Sequence, residues 1–226
     1  ERKCRGACGF ENPVPRDGGG PADVLSDEAG EIVAARVLRV FGVVRNGWNK
    51  IMAEKPKLLK IAFVSTMSGA PWGGSEELWH GTAKRMRMQG HEVGVSVYQW
   101  PETPRQVAEL QGMGCSIDFR PRRKNLLGRL LERRFQGASG IGIPEASCKW
   151  LQAMKPDLVM ISQGFPLEAI SWMRACRKLG IRYSSVIQAA SEVWWPEDGM
   201  MDDLREAYTG AAGLYFVSKS NLKLME

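Results

Sequence analysis

KIAFVSTMSGAPWGGSEELWHGTAKRMRMQGHEVGV, residues 60–95, holds one complete change of rhythm. Ile61-Ala62-Phe63-Val64 is a short continuous apolar run, the pattern of a strand. Residues 75–89 then read as a helix that stops at Gly90, and 92–99 read as a second strand. Between the first strand and the helix stand Gly73-Gly74-Ser75, followed by Glu76 and Glu77. Ser75 suits an N-cap, with the two glutamates in the first turn and pointing along the sides of the helix. Two readings of the glycines stay open. One is a tight turn with a cap. The other is a backbone cradle for phosphate, because a helix start has free N–H groups and glycine permits close approach. The stretch lacks both the lysine of GxxxxGK[ST] and the spacing of GxGxxG.

The same alternation continues to the end of the chain. Apolar runs at 58–66, 92–99, 115–120, 157–164, 181–189 and 213–219 read as strands. Segments 75–89, 103–112, 123–135, 145–154, 166–179 and 198–209 read as helices, several ending at a glycine: Gly90, Gly112 or Gly114, and Gly180. Leu158-Val159-Met160-Ile161 is apolar without alternation, as expected of a parallel strand covered on both faces. Repeated β-α-β units predict a doubly wound, mostly parallel Rossmann-like α/β sheet over 58–226. Residues 1–57 stand apart. The Pro- and Gly-rich stretch 11–24 reads as a linker, and 27–55 has the rhythm of an amphipathic helix capped by Ser26.

In such sheets ligands bind beyond the C-terminal ends of the strands. Three strand ends therefore carry the candidate sites. The first is Gly73-Gly74-Ser75. The second is Gln163, after the run 157–161, which offers a donor and an acceptor. The third is VIQAASEVWWPEDG, 186–199, where Gln188, Ser191, Glu192, Trp194 and Trp195 combine hydrogen-bonding groups with aromatic faces suited to a sugar ring. Each also has a structural reading: a solvated loop for Gln163, core filling and loop anchoring for the tryptophans. His80 is expected on the solvent side of its helix and His91 in a structural role. No nucleophile-base constellation assembles from these residues.

The 226 residues carry a net charge of +6, a mild lean toward anionic partners. No zinc-finger spacing, RNP-type aromatic motif or long basic arm points to nucleic acid. Five scattered cysteines do not form a disulfide framework. Cys115, Cys148 and Cys176 read as buried thiols, which suits a cytoplasmic setting, and no metal site is expected. No apolar run approaches the roughly 20 residues that span a bilayer. The basic stretch 119–135 reads as a cationic amphipathic helix, either a solvated face or a contact with a phosphorylated acceptor or, peripherally, with the inner membrane face.

The opening stretch resembles the start of a GT-B glycosyltransferase of the retaining family 4 type. Such a start has a strand, a Gly-Gly-x-Glu loop, a helix and a Gly-His-x-Val turn, here Gly73-Gly74-Ser75-Glu76 and Gly90-His91-Glu92-Val93. The resemblance takes in KPDLVMIS and GLYFVSKSNLKL and extends over roughly 58–226. It implies an N-terminal domain that binds the acceptor (a glycan, a lipid-linked sugar or a small molecule). A C-terminal domain would bind the nucleotide sugar. Gly73, Gly74 and Ser75 would meet the donor diphosphate. Gln188 falls near a position where many relatives carry histidine; it cannot act as a base but can hydrogen-bond a sugar. The sequence stops where the family crosses into its second domain. The expectation is therefore an acceptor-side half lacking the donor-binding domain and inactive alone, with no cofactor beyond the nucleotide-sugar substrate. The alternative is a stand-alone sugar- or nucleotide-binding module without catalysis. A nicotinamide-dependent oxidoreductase is disfavoured by the missing GxGxxG and by the lack of a terminal acidic residue on the second strand.

Overall fold

The structure, a computed structural model, describes residues 57–122, 143–191 and 198–225. Nearly all of the 1–57 extension, the basic segment 123–135, and the site candidates Glu192, Trp194 and Trp195 lie outside the described residues. Six strands form one sheet: β1 (Lys60–Ser65), β2 (Glu92–Tyr98), β3 (Ser116–Arg120), β4 (Leu158–Gln163), β5 (Tyr183–Ile187) and β6 (Gly213–Phe216). All neighbours are parallel and the order is β3-β2-β1-β4-β5-β6. This is the doubly wound Rossmann-like arrangement that the alternation predicts.

Helices α1 (Gly74–Met88) and α2 (Arg105–Gly112) cover one face of the sheet. On the other face lie α3 (Glu145–Met154), α4 (Ile170–Lys178) and α5 (Met201–Thr209). Period-2 geometry sends Ile61 and Phe63 of β1 to the first face, against Trp79, Ala83 and Met86. Ala62 and Val64 go to the second, among Leu151, Val159 and Met173. With both faces buried, each position gains from being apolar, about 1.5–3 kcal/mol for a large side chain. That explains the unbroken runs. Cys115, Cys148 and Cys176 are buried free thiols, and burial pushes Cys176 up to about 12.

The helix-ending glycines are Gly90, Gly114 and Gly180, with φ of 89°, 82° and 66°. Gly112 is instead the last residue of α2. Two boundaries depart from the sequence reading. Residues 166–169 do not join α4, because neighbouring side chains capture the turn: Gln163 Oε1 accepts from the Ala169 N–H at 3.1 Å. The expected strand 213–219 ends at Phe216, and a sixth helix, α6 (Lys219–Met225), follows. Ser218 Oγ accepts the Asn221 N–H at 3.1 Å, a local cap within the Ser-Lys-Ser-Asn run.

Candidate functional site at the strand order reversal

β1 and β4 are neighbours from which the chain leaves in opposite directions. After β1 it passes to α1 on one face, and after β4 to α4 on the other. The loops 66–73 and 164–169 therefore diverge beyond the strand ends, which is where open α/β sheets bind ligands. The strands stay zipped up to that point: Thr66 N–H donates to Ser162 O at 2.9 Å.

The start of α1 differs from the expected cap. Gly73, extended at φ −166° and ψ 177°, is the N-cap, and no side chain caps the helix. Ser75 lies one residue inside α1, so its hydroxyl is past the capping position. Neither Gly73 nor Gly74 has a positive φ. A Cβ at Gly74 would meet nothing within 4 Å, and one at Gly73 only Met67 Cε at 3.4 Å. Glycine at 74 is thus required neither by backbone conformation nor by packing.

Gln188, just past β5, is half-buried and reaches this helix start. Its Nε2 donates to Ser162 Oγ at 3.2 Å and to Ser75 O at 3.5 Å. Asn221 of α6 ties the Gln188 carbonyl at 3.0 Å. The structure thus brings Gln188 directly onto Ser75, with Ser162 as its second partner. Ser191 is half-buried in the segment after β5. Gln163 is elsewhere. It is 0 % exposed and faces α4 and α5. Its Nε2 donates to Ser185 Oγ at 2.9 Å and Tyr208 Oη at 2.8 Å, and its Oε1 is taken by Ala169. The ligand contact expected of Gln163 is replaced by a structural one, since the alternation of β4 turns it away from the Gln188 face.

The two glutamates of α1 do not simply line the helix sides. Glu76 is buried and accepts from Ser65 Oγ at 2.9 Å and Trp79 Nε1 at 2.8 Å. Burial pushes its carboxyl above the ordinary range, against those hydrogen bonds and the charge of Arg120. Glu77 accepts from the indole N–H of Trp72. His80 is buried, not on the solvent side as expected. Trp72 and Trp79 pack edge-on against its ring, and Nε2 sits 3.3 Å from Glu109. Desolvation lowers its basicity, partly opposed by Glu109. His91 has the structural role expected, accepting from Leu59 N–H at 3.1 Å.

Arg120, read both as the end of the strand 115–120 and as part of the basic stretch 119–135, is a buried residue of β3. Its guanidinium lies 4.1 Å from the Tyr98 ring and donates to the Ser65 carbonyl. The sequence put it on a strand but did not reveal its burial, because 119–135 also reads as one basic block. Glu168, also missed, lies at the strand-order reversal: Thr66 Oγ1 donates to its Oε2 at 2.7 Å. Among the described residues no three His, Cys, Asp or Glu side chains gather as a metal site, and no helix is long and apolar enough to cross a membrane.

Neither the family models nor the curated proteins include a match to this chain. Three solved structures show limited likeness. One is the binary complex of leucoanthocyanidin reductase with NADPH from Vitis vinifera: 15% identity, TM-score 0.37, covering 65% of this chain and 42% of that one. Another is a protein of unknown function from Vibrio parahaemolyticus, at 12% identity and TM-score 0.36, covering 73% of this chain and 96% of that one. The third is O-ureido-L-serine synthase, at 10% identity and TM-score 0.27, covering 87% and 65%. What the chain itself displays is an α/β Rossmann-like fold, with six parallel strands and helices on both faces.

Proposed function

We propose that this chain is the acceptor-side Rossmann-like domain of a GT-B-type glycosyltransferase, which moves a sugar from a nucleotide-sugar donor to an acceptor. The observation that carries the reading is Gly74. At the first position of α1, glycine costs stability relative to residues with a side chain. No positive φ and no neighbouring atom asks for it. A ligand backed directly against the peptide N–H groups gives it a reason.

In this reading the uncapped start of α1 faces the donor diphosphate. Negative charge grows on the departing diphosphate in the transition state, and free N–H groups with the helix dipole stabilise it. Gln188 sits beside that helix start and hydrogen-bonds the sugar without abstracting a proton. Retaining transfer of this kind runs on one face of the sugar and needs no protein nucleophile. In the complete enzyme a second Rossmann-like domain forms the opposite wall and tightens the hold on the nucleotide sugar, which this chain's wall binds weakly on its own.

Gly74→Ala tests this. The site has room for a methyl group, so thermal stability should hold or rise by up to about 1 kcal/mol. Affinity for UDP-glucose, by calorimetry or line broadening, should fall by about tenfold, because the Cβ stands where the phosphate would approach. Equal affinity in both proteins, with the fold intact, would remove the basis of the proposal.

A further inference from the structure

Glu168 lies in the turn between β4 and α4, and its carboxylate reaches back across the strand ends. Its Oε2 accepts from Thr66 Oγ1 at 2.7 Å and from the Gly164 N–H at 2.8 Å. These donors stand just past the ends of β1 and β4, the two strands between which the order reverses. The Glu168 N–H also bonds Phe165 O at 3.2 Å, which fixes the turn from within. The residue is nevertheless exposed, so the anchoring holds its carboxylate at the surface, beyond the ends of β1 and β4.

A surface glutamate is ordinarily free to change rotamer and pays entropy to grip anything. Glu168 has already been ordered by two hydrogen bonds through one oxygen. An ionised carboxylate only accepts hydrogen bonds, and accepts them strongly. It therefore welcomes hydroxyl donors and repels phosphate or carboxylate brought to the same place.

We propose that Glu168 selects the acceptor: its anchored carboxylate binds hydroxyl groups of a neutral polyhydroxyl ring and excludes an acceptor carrying an anionic group at that position. This rests on reading the crevice as the acceptor side of a glycosyl-transfer site. Ser162, whose carbonyl takes the Thr66 N–H, and Gln188, bonded to Ser162 Oγ, follow along the same strand ends. Glu168 is assigned to specificity, with no proton transfer.

The test is an amide NMR titration of the full 226-residue chain with glucose and with glucose 6-phosphate. Glucose should shift the amides of Thr66, Gly164 and Glu168 in the wild type, and glucose 6-phosphate should leave them in place. Glu168→Gln keeps an oxygen for Thr66 and Gly164 but removes the charge. It should bind glucose about fivefold more weakly, the difference between a charged and a neutral acceptor. It should also admit glucose 6-phosphate. Equal glucose affinity in both proteins, no shift at these amides, or glucose 6-phosphate binding to the wild type there would each overturn the assignment. UDP-glucose separates the two levels. If it shifts Gly73 and Gly74 while the sugars miss Glu168, acceptor selection fails and the glycosyl-transfer reading stands. If the sugars behave as expected but UDP-glucose leaves the glycines unmoved, the transfer reading fails instead.

Discussion

Glu76 is held between two donors, Ser65 Oγ and Trp79 Nε1, in a site that removes it from water. Ser65 Oγ in turn accepts the Met67 N–H at 3.1 Å, so the carboxylate steadies the first residues of the loop that leads to Gly73. Burial raises its carboxyl above the value it takes in the unfolded chain. The unfolded state then loses its proton first as pH rises. The folded state binds more protons in that window, so this group's contribution is fullest in acid and declines as pH climbs through the raised value. Glu76→Gln removes that slope. In urea unfolding from pH 4 to 7, the stability of the variant relative to wild type should rise with pH; a constant difference would show that Glu76 does not titrate differently on folding. Little of this was legible beforehand. A glutamate in a first helical turn reads as a dipole partner on the surface, and only the packing of α1 over β1 reveals that position 76 faces inward. His80 misled for the same reason, since three charged or polar neighbours follow it within five residues. Gln163 was found as a strand-end residue, but the face it takes depends on the phase of β4.

At the scale of elements, hydrophobic runs located all six strands, because parallel strands buried on both faces leave a dense apolar signal. Boundaries that depend on side-chain capture were not visible. The beginning of α4 is displaced by Gln163 and Glu168, of which the sequence offered the first as a ligand contact and gave the second no role. The Ser218 cap hid behind the apolar run of β6. Gly94 is a further element-level constraint. It lies inside β2, where α3 presses close enough that an added Cβ would stand 2.5 Å from Met154 Sδ and 2.7 Å from Trp150 Cζ2. Trp150 is also tied, its indole N–H donating to Ser116 Oγ at 2.8 Å. Gly94→Ala should therefore cost about 1–3 kcal/mol of stability through overpacking between β2 and α3. Gly74→Ala, at an open position, should not. Chemical denaturation of the two variants side by side checks the contrast, and equal losses would contradict it.

At the scale of the molecule, strand order turns scattered strand-end residues into one place. Residues 66, 75, 162, 164, 168 and 188 are spread over more than half of the chain, yet a chain of hydrogen bonds links them across the ends of β1, β4 and β5. The sequence offered Gly73, Gly74, Ser75, Gln163, Gln188 and Ser191 alike; the topology brings Gln188 onto Ser75 and sends Gln163 to the other face, and nothing local marked the loop glutamate Glu168. In the proposed function the uncapped start of α1 meets the diphosphate of a nucleotide sugar. A two-dimensional amide NMR titration with UDP-glucose, run beside NADPH as the competing dinucleotide, tests it most directly. Concentration-dependent shifts are expected at Gly73, Gly74, Ser75 and Gln188 with UDP-glucose, larger than any that NADPH causes there at the same concentration. Shifts at these amides with NADPH alone, or none with UDP-glucose into the millimolar range, would contradict it.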